Sequence, residues 1–268
     1  MYKLIAVDMD GTLLREDKTI SDRTKTAIRK AVEKGVRVVL ASGRPIDGLE
    51  RYLKELNLLS DDDYVMSFNG SVIQNVKTRQ MVSKNILKGS DLQRLYALSK
   101  EIGVNIHAFT KAGCITPKMN EYSELEGRIN GIEVHEVDFD TIDPEEDVIK
   151  VMFIDPQPVL EEAMRHIPET FFEEYTVVRS APFFLEFLNK ASSKGTGVKA
   201  LAEHLGIKQE EIICIGDAGN DLDMIQFAGL GVAMGNAFEE VKEAADYITC
   251  DNDEDGVAHV IEKFIGIS

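Results

Sequence analysis

Positive charge is scarce in this sequence. Thirty Lys and Arg stand against 47 Asp and Glu, a formal net charge of −17. A surface of that sign repels phosphodiester backbones and anionic headgroups, which argues against nucleic-acid and membrane partners. It also opposes any phosphorylated substrate, so such a substrate needs local cations at its site. Cysteine is equally sparse. Cys114, Cys214 and Cys250 are scattered, odd in number and form no CxxC. That excludes a disulfide framework and reads as reduced thiols in a cytoplasmic protein. The five histidines are dispersed, without HExxH or paired spacing, which argues against zinc. No apolar run is long enough to span a bilayer. The first one stops at Asp8, too short for a signal peptide, so a cytoplasmic location is expected.

What the chain does have is a recurring α/β texture. Lys3 to Val7 is apolar and ends at Asp8-Met9-Asp10-Gly11-Thr12, the pattern of a buried strand feeding a loop. Ser21 is a good N-cap for a helix carrying Ala27, Ile28, Ala31 and Val32, with Gly35 as its stop. Val36 to Leu40 is a second buried strand, ending in Ala41-Ser42-Gly43-Arg44. Strand, helix, strand predicts a right-handed parallel crossover. Tyr64 to Phe68 is a third strand ending at Asn69-Gly70, and a hairpin is expected around Lys77-Thr78. From about residue 86 to 189 the texture changes to short strands and helices without such loops. Helices are expected over Asp91–Ile102 and Val159–Ile167, strands over Asn105–Phe109 and Val148–Ile154, and one aromatic strand over Ala181–Leu188. The α/β texture returns with Lys194 at a helix start and Ile212 to Ile215 ending in Gly216-Asp217-Ala218-Gly219-Asn220-Asp221. The expected architecture is a Rossmann-like parallel-sheet core over 1–85 and 190–268, interrupted by an inserted α+β domain over 86–189.

Ligands bind beyond the carboxyl ends of such strands. Asp8 with Asp10, Ser42 with Gly43, Lys194, and Asp217 with Asn220 and Asp221 all fall on that rim. Two acids as close as Asp8 and Asp10 repel unless a cation or shared proton compensates, and a hard divalent ion takes oxygen ligands. Each piece alone also fits a plain reading: turn chemistry at Asp8-Gly11 and Ser42-Gly43, a surface lysine at Lys194, a capping acid at Asp217. Arg44 fits a phosphate partner or a structural ion pair. Together they supply what phosphoryl transfer requires: a nucleophile, metal ligands, fixed donors and a proton carrier.

The four segments resemble the motifs of the haloacid dehalogenase superfamily, along the whole chain. Phe68-Asn69-Gly70, the size and place of the insertion and Gly235-Asn236-Ala237 resemble its Cof-type branch with a large C2-type cap. Lys194 to Lys199 and Ser180-Ala181-Pro182 are similar to the YidA-type sugar phosphatases within it. The resemblance implies Asp8 as nucleophile and Asp10 as general acid and base. It implies Mg²⁺ on an Asp8 oxygen, the Asp10 carbonyl and Asp217. Ser42, the Gly43 and Met9 amides, Lys194 and Asn220, with Arg44 beside them, would hold the phosphoryl group. Asp221 would orient metal waters or Lys194. The implied partner is a small phosphorylated metabolite, a sugar phosphate by that likeness, and a homodimer is compatible with the sequence. A phosphomutase shares Asp8 and Asp10, and a regulatory phosphate acceptor shares the acids, so both stay open.

Overall fold

The computed structural model describes residues 1–267. It divides into two compact units, one of Met1–Lys84 with the chain from Ser193 onward, the other of Asn85–Ser192. The first unit begins with β1 (Leu4–Asp8), α1 (Asp22–Glu33), β2 (Arg37–Ala41), α2 (Ile46–Glu55), β3 (Tyr64–Ser67), β4 (Val72–Asn75) and β5 (Met81–Lys84). The inserted unit holds β6 (Leu87–Lys88), α3 (Gly89–Ile102), β7 (Asn105–Thr110), β8 (Gly113–Thr116), α4 (Glu121–Asn130) and β9 (Val134–Glu136). It continues through β10 (Asp147–Ile154), α5 (Gln157–Met164), α6 (Glu169–Glu174), β11 (Tyr175–Ala181) and β12 (Phe184–Asn189). The first unit then resumes with α7 (Lys194–Leu205), β13 (Ile212–Gly216), α8 (Leu222–Phe227), β14 (Leu230–Ala233), α9 (Glu239–Ala244), β15 (Tyr247–Ile248) and α10 (Gly256–Ile265).

The sheet of the first unit runs β15-β14-β13-β1-β2-β3-β4-β5. From β15 to β3 every pairing is parallel, and β4 and β5 add an antiparallel edge. A parallel sheet is covered on both faces, so its strands carry apolar side chains towards both. β1 shows this: Ile5 and Val7 join one buried cluster with α1, α2 and α10, while Leu4 and Ala6 join another with α7 and α8. Ser21 caps α1 by accepting from the Thr24 amide, as its sequence position predicts. Val32, expected on the apolar face, is exposed.

The sheet of the inserted unit runs β11-β12-β10-β7-β8-β9, with β6 on β10. Leu92, Leu95, Leu98, Val151, Phe153, Leu185 and Phe187 form its apolar core. The segment Ala181–Leu188 is not one strand but a hairpin, β11 and β12 turning at Pro182-Phe183. Proline cannot donate to a ladder, so it takes the turn. The helix expected over Val159–Ile167 ends at Met164, and α6 starts after Pro168, which disfavours helical backbone at Ile167. His107 is fully buried beside Ser123 and Met152, and burial pushes its pKa down to about 3, so it stays neutral.

Candidate active site

β13, β1 and β2 are parallel neighbours, so their carboxyl ends share one rim. Asp8 closes β1, Ser42 follows β2, and Asp217 follows β13. Lys194 is the first residue of α7, whose N-cap Ser193 accepts from the Thr196 amide. That cap sends the Lys194 side chain into the interior, where it is wholly inaccessible. Its ammonium donates to Asp8 Oδ1 and, at 2.6 Å, to Asp221 Oδ1. The other Asp221 oxygen accepts from the Asp217 amide at 3.0 Å and the Ala218 amide at 3.1 Å. Both Asp221 oxygens are therefore committed to protein donors. Asp217 Oδ1 accepts from the Thr12 hydroxyl at 2.7 Å. A Cβ on Gly11, whose φ is +83°, would collide with the Asp217 carboxylate. Only glycine lets the loop after Asp10 lie this close.

Asp8, Asp217 and Asp221 each bring a carboxylate oxygen to within 4.8 Å of the others. Three acids share one lysine, which leaves two negative charges in excess when all are ionised. Burial, then Asp221, pushes the Asp8 pKa well up, and Lys194 offsets only part of this. Burial also raises Asp217, against the Thr12 hydrogen bond. Burial opposes the Lys194 charge, but Asp8 and Asp221 outweigh it and hold the ammonium protonated. A surplus of two charges among hard oxygen donors fits a hard divalent cation such as Mg²⁺. With Asp221 engaged elsewhere, Asp8 and Asp217 are the carboxylates left to hold it, and the Asp10 carbonyl is the further donor that the resemblance implies.

The Asp10 side chain points elsewhere. Arg44 grips both its oxygens, Nη2 on Oδ1 and on Oδ2 at 2.8 Å and Nε on Oδ2 at 3.1 Å, and Lys18 Nζ adds a contact to Oδ1 at 2.8 Å. Burial would raise its pKa, but Lys18 and Arg44 prevail and lower it. Without a bound phosphate, Arg44 is therefore engaged in an ion pair with Asp10.

Ser42 and Asn220 are linked through Asn69. The Asn69 amide donates to the Ser42 carbonyl at 2.9 Å, and Asn220 Nδ2 donates to Asn69 Oδ1 at 3.1 Å. The Asn69 carboxamide packs on Gly43. Phe68, Asn69 and Gly70 have φ of +52°, +53° and +87°, three left-handed residues in succession. Such backbone is costly outside glycine and persists where the surroundings impose it. Gly70 lies against the Ser193 carbonyl, where a Cβ has no room, so the turn abuts the start of α7. Met9 buries its side chain in the core, leaving its backbone as the part that can serve a ligand.

Thr12 and Lys18 are site residues that sequence reasoning left without a role, whereas Asn69 admitted two readings, a turn cap before Gly70 or a substrate contact. Thr12 and Asn69 stand inside the motifs, so their position was a signal. Lys18 had none: it lies in a loop at φ +63° and reaches back to Asp10.

A family model described as haloacid dehalogenase-like hydrolase matches residues 5–261. YxeH of Bacillus subtilis (strain 168) is 45% identical over 99% of each chain. The solved structure of a haloacid dehalogenase-like hydrolase from Bacteroides thetaiotaomicron superposes with a TM-score of 0.87 at 36% identity, covering 98% of this chain and 99% of the other. A second solved structure, that of the HAD subclass IIB sugar phosphatase BT4131, gives 0.80 at 28% identity and covers 100% of both chains.

Proposed function

The chain belongs to the haloacid dehalogenase-like hydrolases, in their Cof-type branch, and from that premise we propose that it is a Mg²⁺-dependent phosphomonoesterase of sugar phosphates. The observation that carries the reading is Asp8 bonded to the buried Lys194 beside Asp217, with Asp10 two residues on. An Asp8 oxygen attacks phosphorus in line, and the bond to the leaving oxygen breaks. Asp10 gives that oxygen its proton. Asp10 then takes a proton from the water that opens the acyl phosphate, returning Asp8 and releasing inorganic phosphate. Bound Mg²⁺ supplies charge neutralisation for the carboxylates and the phosphoryl group.

Lys194, Ser42, Asn220 and the Gly43 and Met9 amides hold phosphoryl oxygens. Arg44 and Lys18 hold Asp10 ionised, the form that accepts a proton from water. Donation needs the protonated form, and a dianionic phosphate competes with Asp10 for both cations. The sugar-phosphate reading is supported by the likeness to BT4131, described as a sugar phosphatase. Selection among such substrates is assigned to the inserted unit, in keeping with the cap of that branch.

A panel of phosphorylated metabolites assayed for phosphate release tests the reading. Release from sugar phosphates is expected, and formation of isomeric sugar phosphates instead would replace it with a mutase. Removing divalent ions with EDTA is expected to lower turnover at least 100-fold, restored by Mg²⁺. Full activity in EDTA would refute the metal requirement. Gly11→Ala adds a Cβ where the Asp217 carboxylate lies and strains a left-handed residue by about 1–2 kcal/mol. Turnover should fall by more than tenfold while the protein still melts cooperatively. Unchanged kinetics would show that the close approach does not matter.

A further inference from the structure

The Gly235-Asn236-Ala237 loop after β14 has no part in the chemistry above, yet it reaches the loop that carries Asp10. Asn236 Nδ2 donates to the Gly11 carbonyl at 2.8 Å, and its Oδ1 accepts from the Asn252 amide at 2.9 Å. Asn252 Nδ2 in turn donates to the Leu14 carbonyl at 2.8 Å. The two asparagines thus stitch the loop at two carbonyls three residues apart. Their own loops are zipped together, Gly235 N donating to the Cys250 carbonyl at 3.1 Å. Gly235 has no room for a Cβ against Asp251, and Ala237 is packed into the core. Farther along, the Glu16 amide donates to Asp253 and Arg15 pairs with Asp255, each at 3.1 Å. The Asn236 carboxamide is held at its own oxygen while its nitrogen holds another residue.

What it holds is the glycine that follows Asp10, at a left-handed φ of +83°. A glycine left to itself samples many orientations of its flanking peptides. The peptide before the Gly11 Cα carries the Asp10 carbonyl, and the peptide after it carries the carbonyl that Asn236 grips. On the other side Thr12 bonds Asp217 at 2.7 Å. The Gly11-Thr12 peptide is therefore held from two directions, through the Thr12 hydroxyl to the acid cluster and through the Gly11 carbonyl to Asn236, while the Met9 carbonyl before Asp10 accepts from the Leu14 amide at 2.8 Å.

We propose that Asn236, backed by Asn252, is a positioning residue for the divalent cation: by fixing the Gly11 peptide it sets the Asp10 carbonyl as an oxygen donor alongside Asp8 and Asp217. The inference rests on the reading above, that these three supply the cation's protein ligands. Hydrogen-bonding partners one step removed from a metal commonly contribute about 10–100-fold to its affinity. A tie that serves only to hold the loop down would leave that affinity untouched.

The test is calorimetric titration of Mg²⁺ alone into the full-length, EDTA-treated protein, with no substrate. Asn236→Ala is expected to weaken Mg²⁺ binding by about 10–100-fold. Its kcat at saturating Mg²⁺ should stay within a few-fold of wild type, since no reacting group has been removed. Asn252→Ala, which keeps the bond to Gly11 and removes its support, should weaken binding by a smaller factor, about threefold or more. It also serves if Asn236→Ala does not fold. Wild-type Mg²⁺ affinity within twofold in a folded Asn236→Ala protein, or in Asn252→Ala where that variant alone folds, overturns the inference and leaves the proposed reaction standing. Absence of Mg²⁺ binding by the wild-type protein overturns the metal reading itself.

Discussion

Asp8→Asn is expected to abolish turnover while leaving the protein at least as stable as wild type. An amide oxygen is a poor nucleophile towards phosphorus, and loss of a covalent nucleophile costs roughly 10⁴-fold or more in kcat. Stability should not suffer, because Asp8 is a buried acid crowded by like charges. Burial and Asp221 both press it towards its neutral form, and an amide is neutral at every pH. Lys194 is not orphaned, since Asp221 still accepts from it at 2.6 Å. Phosphate release from p-nitrophenyl phosphate and a thermal melt read the two halves separately. Wild-type activity in a folded Asp8→Asn protein would remove the nucleophile and the mechanism with it.

Lys194→Met has the opposite profile: it should destroy activity and damage the fold. Three acids would then face one another with no cation among them. Removing one partner of a buried ionic cluster costs about 3–5 kcal/mol. In a chain of this size that lowers Tm by roughly 10 °C. The effect carries a pH signature. The folded-state pKa values of Asp8 and Asp217 are raised, so each contributes stability at low pH that is lost as pH climbs through its folded value. Without Lys194 that loss grows, and the Tm deficit should be larger at pH 8 than at pH 5. Lys194→Arg should rescue neither property, because a planar guanidinium does not fit a fully enclosed ammonium site. Melting curves at the two pH values decide it. An equal deficit at both would mean that the lysine acts by packing alone.

The sheet and the acid cluster were legible for a common reason. In a parallel sheet the strands are uninterrupted apolar runs, and the polar residues that follow them mark the rim, so Lys3 to Thr12 exposes both strand and site. Helix boundaries carrying a local signal, such as Ser21, were equally plain. What escaped depends on partners far away in sequence. Nothing near Asn236 announces that its carboxamide meets Gly11, or that Asn252 meets Leu14. The left-handed run at Phe68 to Gly70 was half visible, since Asn69-Gly70 is ordinary turn chemistry but Phe68 is not. The fate of Arg44 was undecidable locally, because a guanidinium beside a strand end suits a carboxylate and a phosphate alike. The hairpin at Pro182 was lost because aromatic richness outweighed the proline in reading one continuous strand.

The order β13-β1-β2 has a consequence for how the chain is made. One of the two sheet neighbours of β1, β13, begins only at Ile212, about 200 residues farther along the chain. At ~5–20 residues per second, roughly 200 residues of synthesis hold that flank of the strand bare for about 10–40 s. During this interval Leu4 to Val7 offers an unpaired hydrophobic border to any other nascent strand, the kind of surface that holding chaperones shield. Expression at lower temperature, or with such chaperones in excess, should therefore improve soluble yield more for this chain than for one whose first strand pairs only with its sequence neighbours.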